Sequence, residues 1–308
     1  MSKRVVLLGQ PVTHSLSEAL QMAAFEAAGI DAKYEPIDTP TVDLPDAVKA
    51  LRSEEYLGAN IGVPHKDRVV AILDKLTEEA QATGAVDTIT IEDEQLVGHN
   101  TDVIAFKHAL EELVGNAKMP KNAVVVGAGG GGRAAIYSLI QAGFHNVALF
   151  NRHLHRGERL VKHFGRSASH MELKARPWHE SVIEAELAKT DILINASAMG
   201  RDPEETPIPG ELLPPDILVM DLHYVPEETR LLKEAREAGA TRTMNGDFML
   251  IEQTVAAFEL WTGEKAPRSV IEKTLKKTRN KPEEPVPPAE EQAAEEQTSE
   301  EQATEASA

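Results

Sequence analysis

An α/β fold in two domains with a disordered acidic tail is predicted by three observations. Strands alternate with helices along most of the chain, a glycine-rich turn joins a strand to a helix near its middle, and 308 residues leave room for two cores of ordinary size. The turn lies in residues 123–133, Ala-Val-Val-Val-Gly-Ala-Gly-Gly-Gly-Gly-Arg. Three consecutive valines read as a buried parallel strand. Gly127, Gly129 and Gly132 take G-x-G-x-x-G spacing with Gly130 inside it, and residues 134–141 should form the helix that follows. Gly143 is placed to stop that helix, and residues 147–150 read as the next strand. Such a turn brings backbone close to a pyrophosphate at the positive end of a helix.

The end of the second strand bears on the cofactor. An NAD site places an acidic residue there for the ribose hydroxyls. Here the strand ends in Asn151 and Arg152, with Arg156 following and no carboxylate. Guanidiniums match a ribose 2′-phosphate and offer nothing comparable to a bare hydroxyl, which favours NADP; the alternative is a solvated basic loop. Later strands of this unit are expected at 191–195 and 217–221. The first runs into a small-residue loop, 195–200, with Ser197 and Met199, suited to lie beside a cofactor.

The N-terminal part reads in order as follows. Residues 4–9 form an apolar strand, 10–17 a loop, and 19–28 a helix ended by Gly29. Ser15 and Ser17 precede that helix, where one hydroxyl suffices as a cap and both could donate to a carboxylate; spacing alone favours the cap. A second strand is expected at 34–37 and a helix at 43–52. Residues 57–66 then form a strand interrupted by Pro64, which opens a helix at about 67–76. A lysine at such a junction, Lys66, is ordinarily a surface lysine. A helix at 77–83, a strand from 84 to 91 and the stretch 96–102 follow, and 103–114 should connect to the glycine unit. This alternation implies a largely parallel sheet whose ligands sit at the carboxyl ends of its strands. Ser15, Asn60, Lys66, Asp87, Asn100 and Asp102 all lie at or after such ends. Farther on, a helix is expected at 228–237 and another at 250–261, where Gln253 on an apolar face asks for a partner.

Hydrophobic content of 42% and charged content of 27% place the chain among globular proteins. It has no cysteine, which excludes disulfides and thiolate chemistry and is compatible with a reducing cytoplasm. No stretch approaches the roughly 20 apolar residues of a membrane span, and residues 1–8 begin a strand rather than a signal peptide. Of the net charge of −18, nine units come from glutamates in residues 282–308, a segment without Lys or Arg, so residues 1–281 carry −9. A body that acidic argues against a general nucleic-acid surface. The tail, rich in Pro, Glu, Ala and Gln, is expected to be disordered and solubilising.

Six stretches agree in order and spacing with one family: P-V-T-H-S-L-S at 11–17, G-A-N-I-G-V-P-H-K at 58–66, G-A-V-D-T-I at 84–89, G-H-N-T-D at 98–102, G-A-G-G-G-G-R-A at 127–134 with its N-R, and D-L-H-Y-V-P-E-E-T at 221–229 with the M-L-I-E-Q that follows. The chain resembles the shikimate dehydrogenases from residue 5 to about 275. The resemblance implies an NADP-dependent, metal-free, cytoplasmic enzyme that interconverts 3-dehydroshikimate and shikimate in aromatic amino acid biosynthesis. It implies a substrate domain of residues 1–103 and 245–281, an NADP-binding Rossmann domain of 104–244, and a cleft between them. Ser15 and Ser17 would hold the substrate carboxylate, Lys66 and Asp102 would be the catalytic pair, Asn60 and Gln253 would bind ring hydroxyls, and Tyr224 would line the site. The expected NADP contacts are Gly127, Gly129, Gly130, Gly132, Asn151, Arg152, Arg156, Ser197, Met199 and Gly246. Expected partners are the small-molecule substrate and at most a second copy in a homodimer, with neither nucleic acid nor membrane.

Three residues depart from the family pattern: Gly62 in place of Thr, Asp87 in place of Asn and Glu18 in place of Pro. Asp87 exchanges a donor for a group that only accepts and adds a charge near Lys66 and Asp102. It could accept from substrate hydroxyls, so the alternatives to shikimate dehydrogenase are an enzyme with altered preference, toward quinate or a similar ring, and a non-catalytic NADP-binding relative. His153, where threonine often follows Asn-Arg, leaves both arginines in place.

Overall fold

The computed structural model describes residues 2–12 and 15–279. The tail expected to be disordered lies outside the described residues, as do Thr13 and His14 of the first family stretch. In chain order the first part consists of β1 (Lys3–Gly9), α1 (Ser17–Ala28), β2 (Ala32–Asp38), α2 (Leu44–Ala50), β3 (Tyr56–Ile61), β4 (Lys75–Leu76), α3 (Glu78–Thr83), β5 (Thr88–Glu92) and β6 (Gln95–His99). These strands form a six-stranded sheet ordered β2-β1-β3-β5-β6-β4. The second part consists of α4 (Thr101–Val114), β7 (Asn122–Val126), α5 (Gly130–Gln141), β8 (Asn146–Phe150), α6 (Leu154–Phe164), β9 (Glu172–Arg176), α7 (Glu180–Leu187), β10 (Ile192–Asn195), β11 (Leu218–Asp221), α8 (Arg230–Glu237), β12 (Arg242–Met244), α9 (Asp247–Thr262) and α10 (Arg268–Arg279). Its sheet, ordered β12-β11-β10-β7-β8-β9, is parallel throughout.

Both sheets are covered on both faces, and alternation along the strands decides which core each residue joins. In β1, Val5 and Leu7 pack with Phe25, Phe258 and Trp261, whereas Val6 and Leu8 pack with Leu44, Val48 and Ile61. In β7, Ala123 and Val125 face Phe106 and Ile136, whereas Val124 and Val126 face Ile183 and Leu231. Both strands therefore read as unbroken apolar runs.

Two expectations are corrected. The first sheet is mixed: β3 pairs antiparallel with β5, and β5 with β6. The cause is a tight hairpin, Glu92 opposite Gln95, whose turn residues Asp93 and Glu94 take φ of 48° and 65°. That turn geometry is usually signalled by Asn-Gly or Asp-Gly, which this sequence lacks there. The helix expected at 67–76 is a single 3₁₀ turn, Val69–Ile72, followed by β4 paired to β6. The β-branched Val69, Val70 and Ile72 are weak helix formers, and Asp74 ends the turn by accepting from Leu96 N–H (2.8 Å). Three strand-and-helix elements of the second part, α6, β9 and α7, and the short β12 complete the doubly wound order.

The two sheets present their carboxyl ends to each other. Arg133 of α5 donates to Thr83 O (2.9 Å) and His163 of α6 to Ala82 O (2.8 Å). The Arg133 guanidinium and the His163 ring N–H of the second part thus meet the carbonyl end of α3 in the first, where a positive charge is favoured.

Candidate active site

Lys66 lies in the turn after β3, and that turn is anchored on several sides. Gln10 N–H donates to Val63 O, Gly62 N–H to Leu8 O and Val86 N–H to Lys66 O, each at 2.8 Å. His65, fully buried, bonds Thr39 O through Nε2 at 2.7 Å; a carbonyl only accepts, so Nε2 carries the proton. The Lys66 side chain, 18% exposed, reaches Asp102 Oδ2 at 2.5 Å.

Asp102 lies in the first turn of α4. Asn100 caps that helix by accepting from Val103 N–H (3.2 Å), and its amide donates to Thr83 and to Ala85 O. Asp87 adds a second anchor. Its Oδ1 accepts from Thr101 N–H (2.9 Å), Thr101 Oγ1 (2.7 Å) and Thr88 Oγ1 (2.8 Å), and its Oδ2 from Asp102 N–H (2.8 Å). The carboxylate expected to meet substrate hydroxyls is instead committed to the N-terminus of α4, where negative charge is favoured. Sequence reading missed this because Asp87 and Thr101 meet only through the β5–β6 hairpin.

Burial pushes the Lys66 ammonium down, but the charges of Asp102 and then Asp87 outweigh it and hold its pKa above the ordinary value. Burial raises the Asp102 carboxyl, with Lys66 opposing and Asp87 adding to the rise. Tyr224, half-buried in the loop after β11, adds to the upward shift on Lys66.

Asn60, at the carboxyl end of β3, accepts from the Tyr34 phenol at 2.8 Å and donates to Thr88 Oγ1 at 3.0 Å. Ser15 and Ser17 flank the start of α1, and neither caps it: Leu16 occupies the cap position, and Ser15 Oγ accepts from Ser17 N–H (3.2 Å). Among the described residues the Ser15 hydroxyl proton has no acceptor and is available to an anion, while the Ser17 hydroxyl bonds the Tyr34 phenol. Gln253 is half-buried on α9, which packs on β3 and β5.

The glycine turn follows β7. Gly127 has φ of +107°, and a Cβ there would stand 2.5 Å from Ala196 O; one on Gly132 would stand 2.0 Å from Gly127 O. The backbone is thereby drawn tight, while nothing lies within 4 Å of a Cβ built on Gly129. This leaves the N-terminal end of α5 open to a phosphate at the switch point between β7 and β10. Asn151 Oδ1 accepts from Ala128 N–H (3.1 Å), tying the turn to the end of β8. Arg152 and Arg156 are exposed beside it, and among the described residues neither makes an ion pair. These residues fit a dinucleotide bearing a 2′-phosphate. Across the switch point, Ser197 Oγ donates to Asn195 Oδ1 (2.7 Å), and Asn195 Nδ2 holds Met199 O (2.8 Å). Buried Asp221 fixes both loops through Asn195, His223 and Thr229. Gly246 N–H donates to His223 O (2.7 Å) at the start of α9.

Comparison with known proteins supplies a further set of observations. Family profiles described as the shikimate dehydrogenase substrate binding domain, shikimate / quinate 5-dehydrogenase and the shikimate 5′-dehydrogenase C-terminal domain match residues 7–89, 109–202 and 249–276. The chain is 38% identical over 272 residues to a shikimate dehydrogenase (NADP(+)) from Geobacter metallireducens, covering 87% of this chain and 94% of that one. It is similar to the crystal structure of shikimate 5-dehydrogenase from Thermus thermophilus in complex with NADP(H) and shikimate, at 36% identity and a TM-score of 0.78, over 89% of this chain and 99% of that one. It is also similar to a quinate dehydrogenase from Corynebacterium glutamicum in complex with NAD, at 32% identity and a TM-score of 0.80, over 90% and 99%.

Proposed function

The chain belongs to the shikimate dehydrogenase family, and from that premise we propose that it reversibly reduces 3-dehydroshikimate to shikimate with NADPH. The observation that carries this reading is the ion pair of half-buried Lys66 with buried Asp102, 2.5 Å apart, standing against the glycine turn of the second sheet. When bound, the cofactor supplies the hydride for the ring ketone. Lys66 donates a hydrogen bond to the ketone oxygen and transfers its proton as negative charge develops there, and in the reverse direction takes the proton from the alcohol. Asp102 holds the ammonium in place. Ser15 and Ser17 bind the substrate carboxylate, while Asn60, Gln253 and Tyr224 surround the ring. Residues 1–103 and 245–281 serve the substrate, and residues 104–244 serve the cofactor.

The two guanidiniums decide between cofactors. Arg152 and Arg156 pair with the 2′-phosphate, Asn151 supports the adenosine end, and Gly127, Gly129, Gly130 and Gly132 admit the diphosphate. Ser197, Met199 and Gly246 border the nicotinamide side. A cytoplasmic location belongs to the same reading; among the described residues no helix is long and apolar enough to cross a membrane.

The test is NADPH formation from shikimate and NADP+, repeated with quinate, with NAD+, with Lys66→Ala and with Arg152→Ala/Arg156→Ala. Shikimate turnover that collapses in Lys66→Ala, and a preference for NADP+ lost in the double arginine variant, are expected. Turnover unchanged in Lys66→Ala, or faster with quinate than with shikimate, would overturn the assignment.

A further inference from the structure

Every proton on the Asn60 amide is already placed. Nδ2 donates to Asp87 O at 3.1 Å and to Thr88 Oγ1 at 3.0 Å. A carbonyl only accepts, so the atom facing Asp87 O is the amide nitrogen, and the amide cannot be turned over without opposing two acceptors. Thr88 gives its own proton to Asp87 Oδ1 at 2.8 Å, which leaves its oxygen to accept from Asn60. At the other end, the Tyr34 phenol gives its proton to Asn60 Oδ1 at 2.8 Å. Donation thus runs one way, from Tyr34 through Asn60 and Thr88 to a buried carboxylate, and each link polarises the next. Tyr34 is 1% exposed, and its ring sits 6.3 Å from that of Trp261, so the phenol has little freedom to leave this position. Burial holds its pKa far above the ordinary value, with the Ser17 hydroxyl opposing, so the proton stays on the phenol oxygen.

One hydrogen-bonding capacity of Asn60 remains, the second lone pair of Oδ1. We propose that Tyr34 and Thr88 are positioning residues that hold Asn60 as an acceptor only, so that the site demands a hydroxyl, and not a keto, ether or fluoro group, at the ring position Asn60 meets. The proposal rests on the shikimate dehydrogenase reading. The reacting oxygen is a ketone in one direction and has no proton to offer, so Asn60 serves a hydroxyl that survives the reaction, at C4 or C5.

The experiment measures kcat and KM of the full chain for shikimate and for its 4-deoxy and 5-deoxy analogues in wild type, Tyr34→Phe and Thr88→Val, with thermal melts of all three proteins. Both variants should raise the KM for shikimate about tenfold with kcat changed less than threefold, the scale of one hydrogen bond. For one of the two analogues, wild type and variants should have the same KM. An active wild type whose KM moves less than twofold in the variants overturns the proposal, as does an equal loss for shikimate and both analogues. If Tyr34→Phe does not fold, Thr88→Val decides by the same criteria. A wild type that does not oxidise shikimate overturns the functional reading, and the proposal with it.

Discussion

The Lys66 side chain lies directly across Gly130. A Cβ on that glycine would stand 2.7 Å from Lys66 Cδ and 3.2 Å from Lys66 Cβ, so the proposed general acid after β3 and the glycine turn after β7 share a single van der Waals contact surface.

Gly130→Ala is therefore expected to push the lysine stem aside while Asp102 still holds its ammonium. A displacement of this size at the reacting group is expected to lower kcat by about 10-fold to 100-fold. The melting temperature should stay within a few degrees, since the clash is with a flexible side chain. Steady-state kinetics with a thermal melt check both parts.

The direction of the Lys66 shift sets a pH signature. In the proposed reaction ketone reduction needs the ammonium, and the raised pKa keeps it charged, so kcat for reduction should hold across neutral pH and fall only in the alkaline range. Shikimate oxidation needs Lys66 to accept a proton and should speed up as pH rises. In Asp102→Asn, burial is no longer outweighed by a neighbouring charge on that side, so the alkaline limb should move to lower pH. Full pH–rate profiles in both directions measure this.

Asp87→Asn restores the residue usual in the family, yet here it should impair the protein. Asp87 Oδ2 faces the Asp102 N–H and Oδ1 faces three donors, so either orientation of an amide sets an NH₂ against donors. A loss of about 1–3 kcal/mol in stability is expected, together with a lower kcat as the first turn of α4 loosens around Asp102. Denaturant unfolding and shikimate kinetics report the two effects.

Glu252 of α9 is buried and joins Arg268 (2.5 Å) to His108 of α4 (2.7 Å). Burial pushes its carboxyl up, but the hydrogen bonds from Arg268 and His108 outweigh this and hold the pKa below its ordinary value. A depressed folded-state pKa contributes stability that is present above the unfolded value, about 4.3, and is lost as pH falls through the folded value. Glu252→Gln should cost about 2 kcal/mol near pH 7, and the gap from wild type should close at acid pH. Unfolding curves from pH 7 down to 3 test the sign.

Much of this protein is legible in its sequence because much of it is local. The unbroken apolar runs of β1 and β7, the glycine spacing before α5, the stops at Gly29 and Gly143, and the arginines after β8 follow from side-chain period, backbone freedom and charge over a few residues. Those signals place the cofactor turn and put Asn60, Lys66 and Asp102 at strand ends. Tertiary structure alone decided the rest. The β5–β6 hairpin turns through Asp93 and Glu94 without the usual glycine and makes the first sheet mixed, and that reversal carries Asp87 onto the first turn of α4. Lys66 meets Asp102 across 36 positions, and Tyr34 meets Asn60 across 26. Propensity and period act over one or two turns of chain, whereas a buried donor takes whichever acceptor the packed fold brings within about 3 Å, and no local pattern specifies that partner.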